Sequence, residues 1–170
     1  MKNLLTKHKD AILKRWFDLI LETYPGHAAA AMRKDKNPFT NPVGSTIFRG
    51  IEVLFEKLGE GIQDEKSRAS LESILKIRSV QDFSPSEAVG FLFLLKRAVE
   101  ETLRDEMGQR PVMDEWLKFQ SRIDDLTLRA FDVYMECREK ICEIRVNQAR
   151  TEREMALRMM ERMSGSKEKR

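Results

Sequence analysis

The chain holds few residues of the types that perform nucleophilic or metal chemistry. Its 170 residues include two histidines, His8 and His27, and two cysteines, Cys137 and Cys142. These four cannot form a zinc site of the usual spacing, and on a helix a disulfide between the two cysteines would be strained. His8 lies among charged residues, so we expect it on a solvated face, and His27 follows Pro25-Gly26 at a helix end, which favours a capping role.

Neighbouring carboxylates are the other candidates for acid–base chemistry. They occur as four pairs: Glu100-Glu101, Asp105-Glu106, Asp114-Glu115 and Asp124-Asp125. Adjacent helical positions point about 100° apart, which suits a solvated face and not a shared acid–base site. No Glu-x-x-His, phosphate-binding loop or dinucleotide-binding glycine pattern occurs. We therefore expect no catalytic residues, no metal and no cofactor, and hence no enzyme.

Charge and hydropathy indicate which kinds of partner and which cellular compartment to expect. Net charge is +3. From Arg138 onward ten Lys and Arg stand against six Asp and Glu, but the two signs are interspersed and no aromatic residue follows Tyr134. We therefore expect no nucleic-acid partner. No apolar run is long enough for a membrane span. Residues 1–10 carry Lys2, Lys7, His8, Lys9 and Asp10 and are unlike a signal peptide. The expected compartment is the cytoplasm.

Helices must position whatever site exists, because no segment alternates apolar and polar residues at strand spacing. Asn41 before Pro42, and the Ser84-Pro85-Ser86-Glu87 segment, are typical helix starts. A short helical piece is expected at His27–Met32. Apolar periodicity predicts an all-α domain of five main helices, at Leu4–Tyr24, Pro42 to about Leu58, about Asp64–Val80, Pro85 to about Met107, and Val112 to about Met163.

The fourth helix is apolar around most of its circumference, which predicts burial at the centre of the fold. Gly90 within it favours a close helix crossing. The aromatic and aliphatic residues around it leave open a cavity for a small apolar ligand or redox cofactor. The residues of that predicted core are Trp16, Phe55, Phe91, Phe93 and Leu94.

Arg78 and Asp82 lie four positions apart near the end of the third helix. Residues at that spacing are neighbours on a helix surface. A surface ion pair is the favoured interpretation of this pair, and a role in a pocket is the alternative.

The last helix carries an apolar seam that steps by three and four positions, which is typical of a coiled coil. We expect this part of the helix to pack on its own body and on a second subunit, giving a homodimer. The residues of the seam are Trp116, Phe119, Ile123, Leu126, Ala130, Val133, Cys137 and Ile141.

Beyond Asn147 the seam thins, and methionines such as Met155, Met159 and Met160 replace it. Methionine faces adapt to varied surfaces, so we expect this stretch to bind a protein partner. We expect a domain over residues 1–150, followed by a helical extension and a disordered basic tail over 151–170. The alternative is a helix that breaks near Asn147 and folds back over a monomer.

Two passages resemble the N-terminal sensory domain of RsbRD-type stressosome co-antagonists. One runs from Ile77 to Phe91 (IRSVQDFSPSEAVGF) and the other from Ala130 to Lys140 (AFDVYMECREK), continuing to Asn147. Trp16, the segment Glu22-Thr23-Tyr24-Pro25 and the segment Asn41-Pro42-Val43-Gly44 extend the likeness in the same order. It covers most of residues 4–150.

The resemblance implies a globin-related, all-α fold without haem, used as a dimeric sensory or interaction module. The sequence agrees that the fold is without haem, because no histidine occurs between Ala28 and Arg170. A late helix therefore cannot supply the proximal histidine that binds haem iron in globins. Family members of the stressosome type continue into a phosphorylated STAS domain. The chain ends about 20 residues past the resemblance, so we expect a module without that domain, acting on an unknown partner.

Overall fold

Helices account for the architecture, and the part of the chain that the structure describes contains no strand. The structure is a computed structural model that describes residues 1–34, 38–60, 64–81, 83–107 and 110–167. The predicted all-α class with a long C-terminal helix is confirmed. Over those residues the helices are α1 Lys2–Lys7, α2 Lys9–Leu21, α3 Gly26–Lys34, α4 Pro42–Glu60, α5 Glu65–Val80, α6 Pro85–Gly90, α7 Phe93–Thr102 and α8 Arg110–Lys167.

The starts of α4 and α6 are where the local sequence places them, whereas the predicted first helix is two helices, α1 and α2, that meet at His8. Asn41 Oδ1 accepts a hydrogen bond from the Gly44 amide at 2.9 Å and caps α4. Ser84 and Glu87 form the predicted capping box of α6, because each side chain accepts from the other residue's backbone amide. Asp64 and Ser67 form a second capping box that begins α5.

The fourth predicted helix is two helices, because the chain tightens at Phe91 and Leu92. The amides of Leu92 and Leu95 donate to carbonyls three residues back, those of Val89 and Leu92, at 3.1 Å each. The Phe91 carbonyl accepts instead from the indole Nε1 of Trp16 at 2.7 Å. The break between α6 and α7 is therefore bridged by a side chain from α2.

Two expectations about this region are wrong. A Cβ on Gly90 would meet nothing within 4 Å, so Gly90 makes no close crossing, whereas a Cβ on Gly50 would lie 2.7 Å from Ile74 Cδ1. The close approach is thus between α4 and α5. Phe93 is 48% exposed and lies beneath the Lys96 ammonium, so it is not part of the core.

The chain divides into two compact units, Met1–Met135 and Glu136–Arg170. In the first unit α2 packs on α7 and α4, and α4 packs on α5. In the second, every residue from 142 to 160 is exposed. Helix α8 is unbroken at Asn147 and continues through Lys167, which includes part of the predicted tail.

Candidate functional site

The largest buried polar side chain described in the structure is Arg78, in the last turn of α5. It is 0% exposed, so the interpretation of Arg78 as half of a surface ion pair is wrong. The predicted partner, Asp82, lies outside the described residues. Arg78 continues the buried face set by Leu71, Ile74 and Leu75, at positions i, i+3, i+4 and i+7 of one helix stripe.

Three aromatic rings surround the guanidinium group of Arg78. Its Cζ lies 4.1 Å from the ring centroid of Phe83, 5.3 Å from that of Tyr24 and 5.7 Å from that of Phe91. Tyr24 and Phe83 also pack edge to face on each other, with centroids 5.2 Å apart. Ring faces attract cations, and more strongly where water is excluded. We call Arg78 and these three residues the Arg78 cage.

Hydrogen bonding leaves much of the guanidinium unsatisfied. Nη2 donates to Thr23 Oγ1 at 3.1 Å and to the Glu87 carbonyl at 3.3 Å. Nε and Nη1 are buried and have no partner, and neither has the Tyr24 hydroxyl. Burial lowers the pKa of Arg78 and raises that of Tyr24. The cage is therefore a water-excluded site with a positive charge and unused donors.

No carboxylate of the described residues lies within ion-pair distance of Arg78. Glu87 is the acidic residue whose charge acts on it, but the Glu87 carboxylate accepts from the Ser84 amide at 2.9 Å and the Ser84 hydroxyl at 2.7 Å. Those two hydrogen bonds, and secondarily the Arg78 charge, lower the pKa of Glu87. The helix cap thus engages the Glu87 carboxylate, which is the acidic group of the described residues that acts on Arg78.

The cage is one side-chain layer below the surface of the first unit. Thr23 and Glu87, which accept from Arg78, are exposed, and Phe83 is half-buried. The Tyr134 hydroxyl donates to the Phe83 carbonyl at 2.8 Å and so holds this backbone against α8. The cage joins the turn after α2, the end of α5 and the residues on either side of α6.

Comparison with known proteins gives the family. Residues 10–149 match the family described as RsbT co-antagonist protein rsbRD N-terminal domain, and no other domain family is found. The chain belongs to this family. An uncharacterised protein of Archaeoglobus fulgidus is 28% identical over 156 residues, which are 91% of this chain and 93% of that protein. No solved structure matches the chain.

The family consists of regulatory, sensory domains of stress signalling. As a member, this RsbRD N-terminal domain is a regulatory domain of that class. All four residues of the Arg78 cage lie within the matched residues. Among the described residues, no helix is both long and apolar enough to cross a membrane.

The seam predicted on the last helix lies on the inner face of α8. Its six residues in the first unit, from Trp116 to Val133, are 0–8% exposed within a single chain. Cys137 is buried and Ile141 is half-buried. The packing of this RsbRD N-terminal domain on its own body therefore accounts for the burial of those six residues, and a contact with a second copy stays a prediction.

A second apolar stripe of α8 faces outward, and the sequence analysis missed it. At 100° per residue its members fall within about 60° of one another, so they share one side of the helix. They are 39–70% exposed. We call this stripe the outer strip of the RsbRD N-terminal domain, and it consists of Met113, Leu117, Leu128, Phe131 and Met135.

The methionines predicted to bind a partner are all on the surface. Met155 is 60% exposed, Met159 69% and Met160 62%. Leu157, in the same part of the second unit, is 48% exposed. This stretch of α8 therefore exposes large apolar side chains that no described residue of the same unit buries.

Proposed function

We propose that the chain is a non-catalytic regulatory module of the cytoplasm that works as a homodimer and passes its state to a protein partner. The observation that carries the proposal is the outer strip of α8, within a chain whose family is regulatory. Exposed large apolar side chains gathered on one side of a helix are typical of a protein contact surface.

A second copy of the chain is the occupant that suits the outer strip. Met113 and Met135 are 22 positions apart, so the strip spans about 33 Å along α8 in two apolar groups, with Asp124 on the same side of the helix between Leu117 and Leu128. A two-fold axis brings the same strip from both chains together, and each then covers the other. Because the seam from Trp116 to Val133 is already covered within one chain, the outer strip on the other side of α8 is the apolar surface that remains for a dimer contact.

The mass of the full chain under sedimentation equilibrium tests the dimer. The chain has a mass of 19.9 kDa, so we expect a species of about 40 kDa. Leu128→Glu together with Phe131→Glu should return it to about 20 kDa, because the pair places charges in an apolar contact. Leu157→Glu is the matched control on the same helix, and it should keep the dimer. A wild-type mass of 20 kDa at 100 µM would contradict the proposal.

The partner surface is proposed for the methionine stretch at Met155, Met159 and Met160. A photo-crosslinking amino acid at position 159 should join a protein partner in cells. The product should disappear when Met155 and Met160 are changed to Gln, while the mass of the dimer stays the same. A crosslink that survives this double change would place the partner elsewhere.

A further inference from the structure

The donors of Arg78 outnumber their acceptors. A guanidinium has five N–H donors, and the two on Nη2 are used by Thr23 and the Glu87 carbonyl. The one on Nε and the two on Nη1 have no partner, although both atoms are buried. The Tyr24 hydroxyl, in the same cage, is also unpaired. Four buried donors therefore make no hydrogen bond to the described residues, although the Tyr24 hydroxyl oxygen lies near the guanidinium and interacts with it.

A buried charge without a counter-ion is costly, and folded proteins pair such a charge or bind an anion to it. Three rings attract the Arg78 cation, but they accept none of its N–H donors with the strength of an oxygen. An anion with oxygen acceptors would satisfy both the charge and the donors. We propose that the Arg78 cage is a binding site for a small organic monocarboxylate.

The cage favours a carboxylate over a phosphate. One guanidinium carries one charge, which one carboxylate neutralises, whereas a dianionic phosphate would bring a second charge into an apolar site. The walls at Tyr24, Phe83 and Phe91 suit a ligand with an apolar or aromatic body. The Tyr24 hydroxyl is protonated at neutral pH, as for any tyrosine of ordinary pKa, and it can donate to the carboxylate.

The ligand would enter on the side of Phe83. This residue is half-buried, and the two residues that accept from Arg78, Thr23 and Glu87, are both exposed. A movement of the Phe83 ring would open one face of the guanidinium, and the Phe83 side chain is not part of the α6 cap, which uses the side chains of Ser84 and Glu87.

A carboxylate bound at the cage would be the signal that the proposed regulatory module senses, and this role rests on the proposed function. Binding at the cage is measured on the chain itself, with no partner and no requirement for a dimer. A failure of carboxylate binding therefore leaves the test of the dimer untouched, and the reverse also holds.

Thermal unfolding of the full chain with sodium acetate, butyrate or benzoate tests the site against sodium chloride of equal ionic strength. At roughly ten times its Kd, a bound ligand should raise Tm by about 3–6 °C for a chain of this size. We expect benzoate to act at the lowest concentration, because its ring adds contacts with the cage. Benzyl alcohol and inorganic phosphate should give no such shift.

Substitutions inside and outside the cage test whether the benzoate shift arises from binding at Arg78. Arg78→Met should abolish the benzoate shift, and Arg97→Gln, which removes an exposed arginine of the same unit, should keep it. Asp82→Asn should also keep it. If Arg78→Met does not fold, the ¹⁵N signal of Arg78 Nε in the wild type decides, and benzoate should move it downfield.

Four results would overturn the proposal. They are no shift with any of the three carboxylates, an equal shift with benzyl alcohol or phosphate, a shift that persists in Arg78→Met, and a shift that appears only in Asp82→Asn. The last would mean that the chain's own Asp82 fills the site.

Discussion

Arg78 stacks on Phe83, with 4.1 Å between the guanidinium carbon and the ring centroid, and it does so without a carboxylate of the described residues beside it. This pair closes the cage between α5 and α6. The two acceptors that Arg78 does have, Thr23 Oγ1 and the Glu87 carbonyl, lie at 3.1 and 3.3 Å, and neither carries a charge. The side chain thus depends on its packing more than on its hydrogen bonds.

Arg78→Met should therefore cost little stability. Methionine fills a similar volume without a charge, and replacing buried ions by apolar residues is often neutral or stabilising by about 1–4 kcal/mol. We expect a free energy of unfolding in urea within about 1 kcal/mol of wild type, or above it. A loss of about 3 kcal/mol or more, as for a broken buried ion pair, would show that Arg78 has a counter-ion within the chain.

Trp16→Phe should destabilise the first unit by about 1–3 kcal/mol. The change leaves the buried Phe91 carbonyl without the indole donor at 2.7 Å. Trp116→Phe is the matched control, because Trp116 is also buried but has no hydrogen bond to the described residues. Urea unfolding at unchanged m-value measures both. Equal losses in the two variants would assign the effect to lost volume alone.

Two glycines of α4 should respond in opposite directions to alanine. Gly50→Ala should lower stability by about 1–3 kcal/mol, because its Cβ would overlap the buried Ile74 side chain. Gly59→Ala meets nothing within 4 Å and should raise stability by about 0.5–1 kcal/mol through helix propensity. Chemical unfolding of both variants checks the pair, and a stabilising Gly50→Ala would refute the close approach of α4 and α5.

Stability should depend on the ionisation of Glu101 at acid pH. Its carboxylate accepts from Arg15 at 2.5 Å and Arg97 at 2.7 Å, which lowers its pKa to about 2. A pKa depressed in the folded state stabilises above the ordinary value near 4.5, and this contribution is lost as the pH falls towards 2. A carboxyl ¹³C titration should give the low pKa, and Arg15→Gln should raise it. A wild-type value near 4.5 would contradict the contact.

Local signals in the sequence predicted the helix starts well. Asn41 and the Ser84–Glu87 box act within four residues, so their neighbours are enough to identify them. The break after α6 was not predictable in this way, because the Phe91 carbonyl accepts from Trp16, 75 positions earlier in the chain.

The candidate site was only partly predictable. The spacing of Leu71, Ile74, Leu75 and Arg78 indicates that Arg78 belongs to the buried face of α5, but a charged residue is rarely fully buried, and that rule favoured the surface. The rings that make burial possible come from other parts of the chain. Likewise, heptad spacing on α8 predicts which side of the helix is buried. The spacing does not indicate whether that side packs on the same chain or on a second copy.

The central claim is that α8 meets a second copy through its outer strip. Isotope-filtered NMR on a mixture of methyl-labelled and unlabelled full chains tests it, because such spectra record only contacts between chains. We expect intermolecular NOEs from the methyl groups of Leu128, which is 70% exposed, and none from Leu126 on the inner face. Intermolecular NOEs at Leu126, or their absence at Leu128 in a sample of about 40 kDa, would contradict the account.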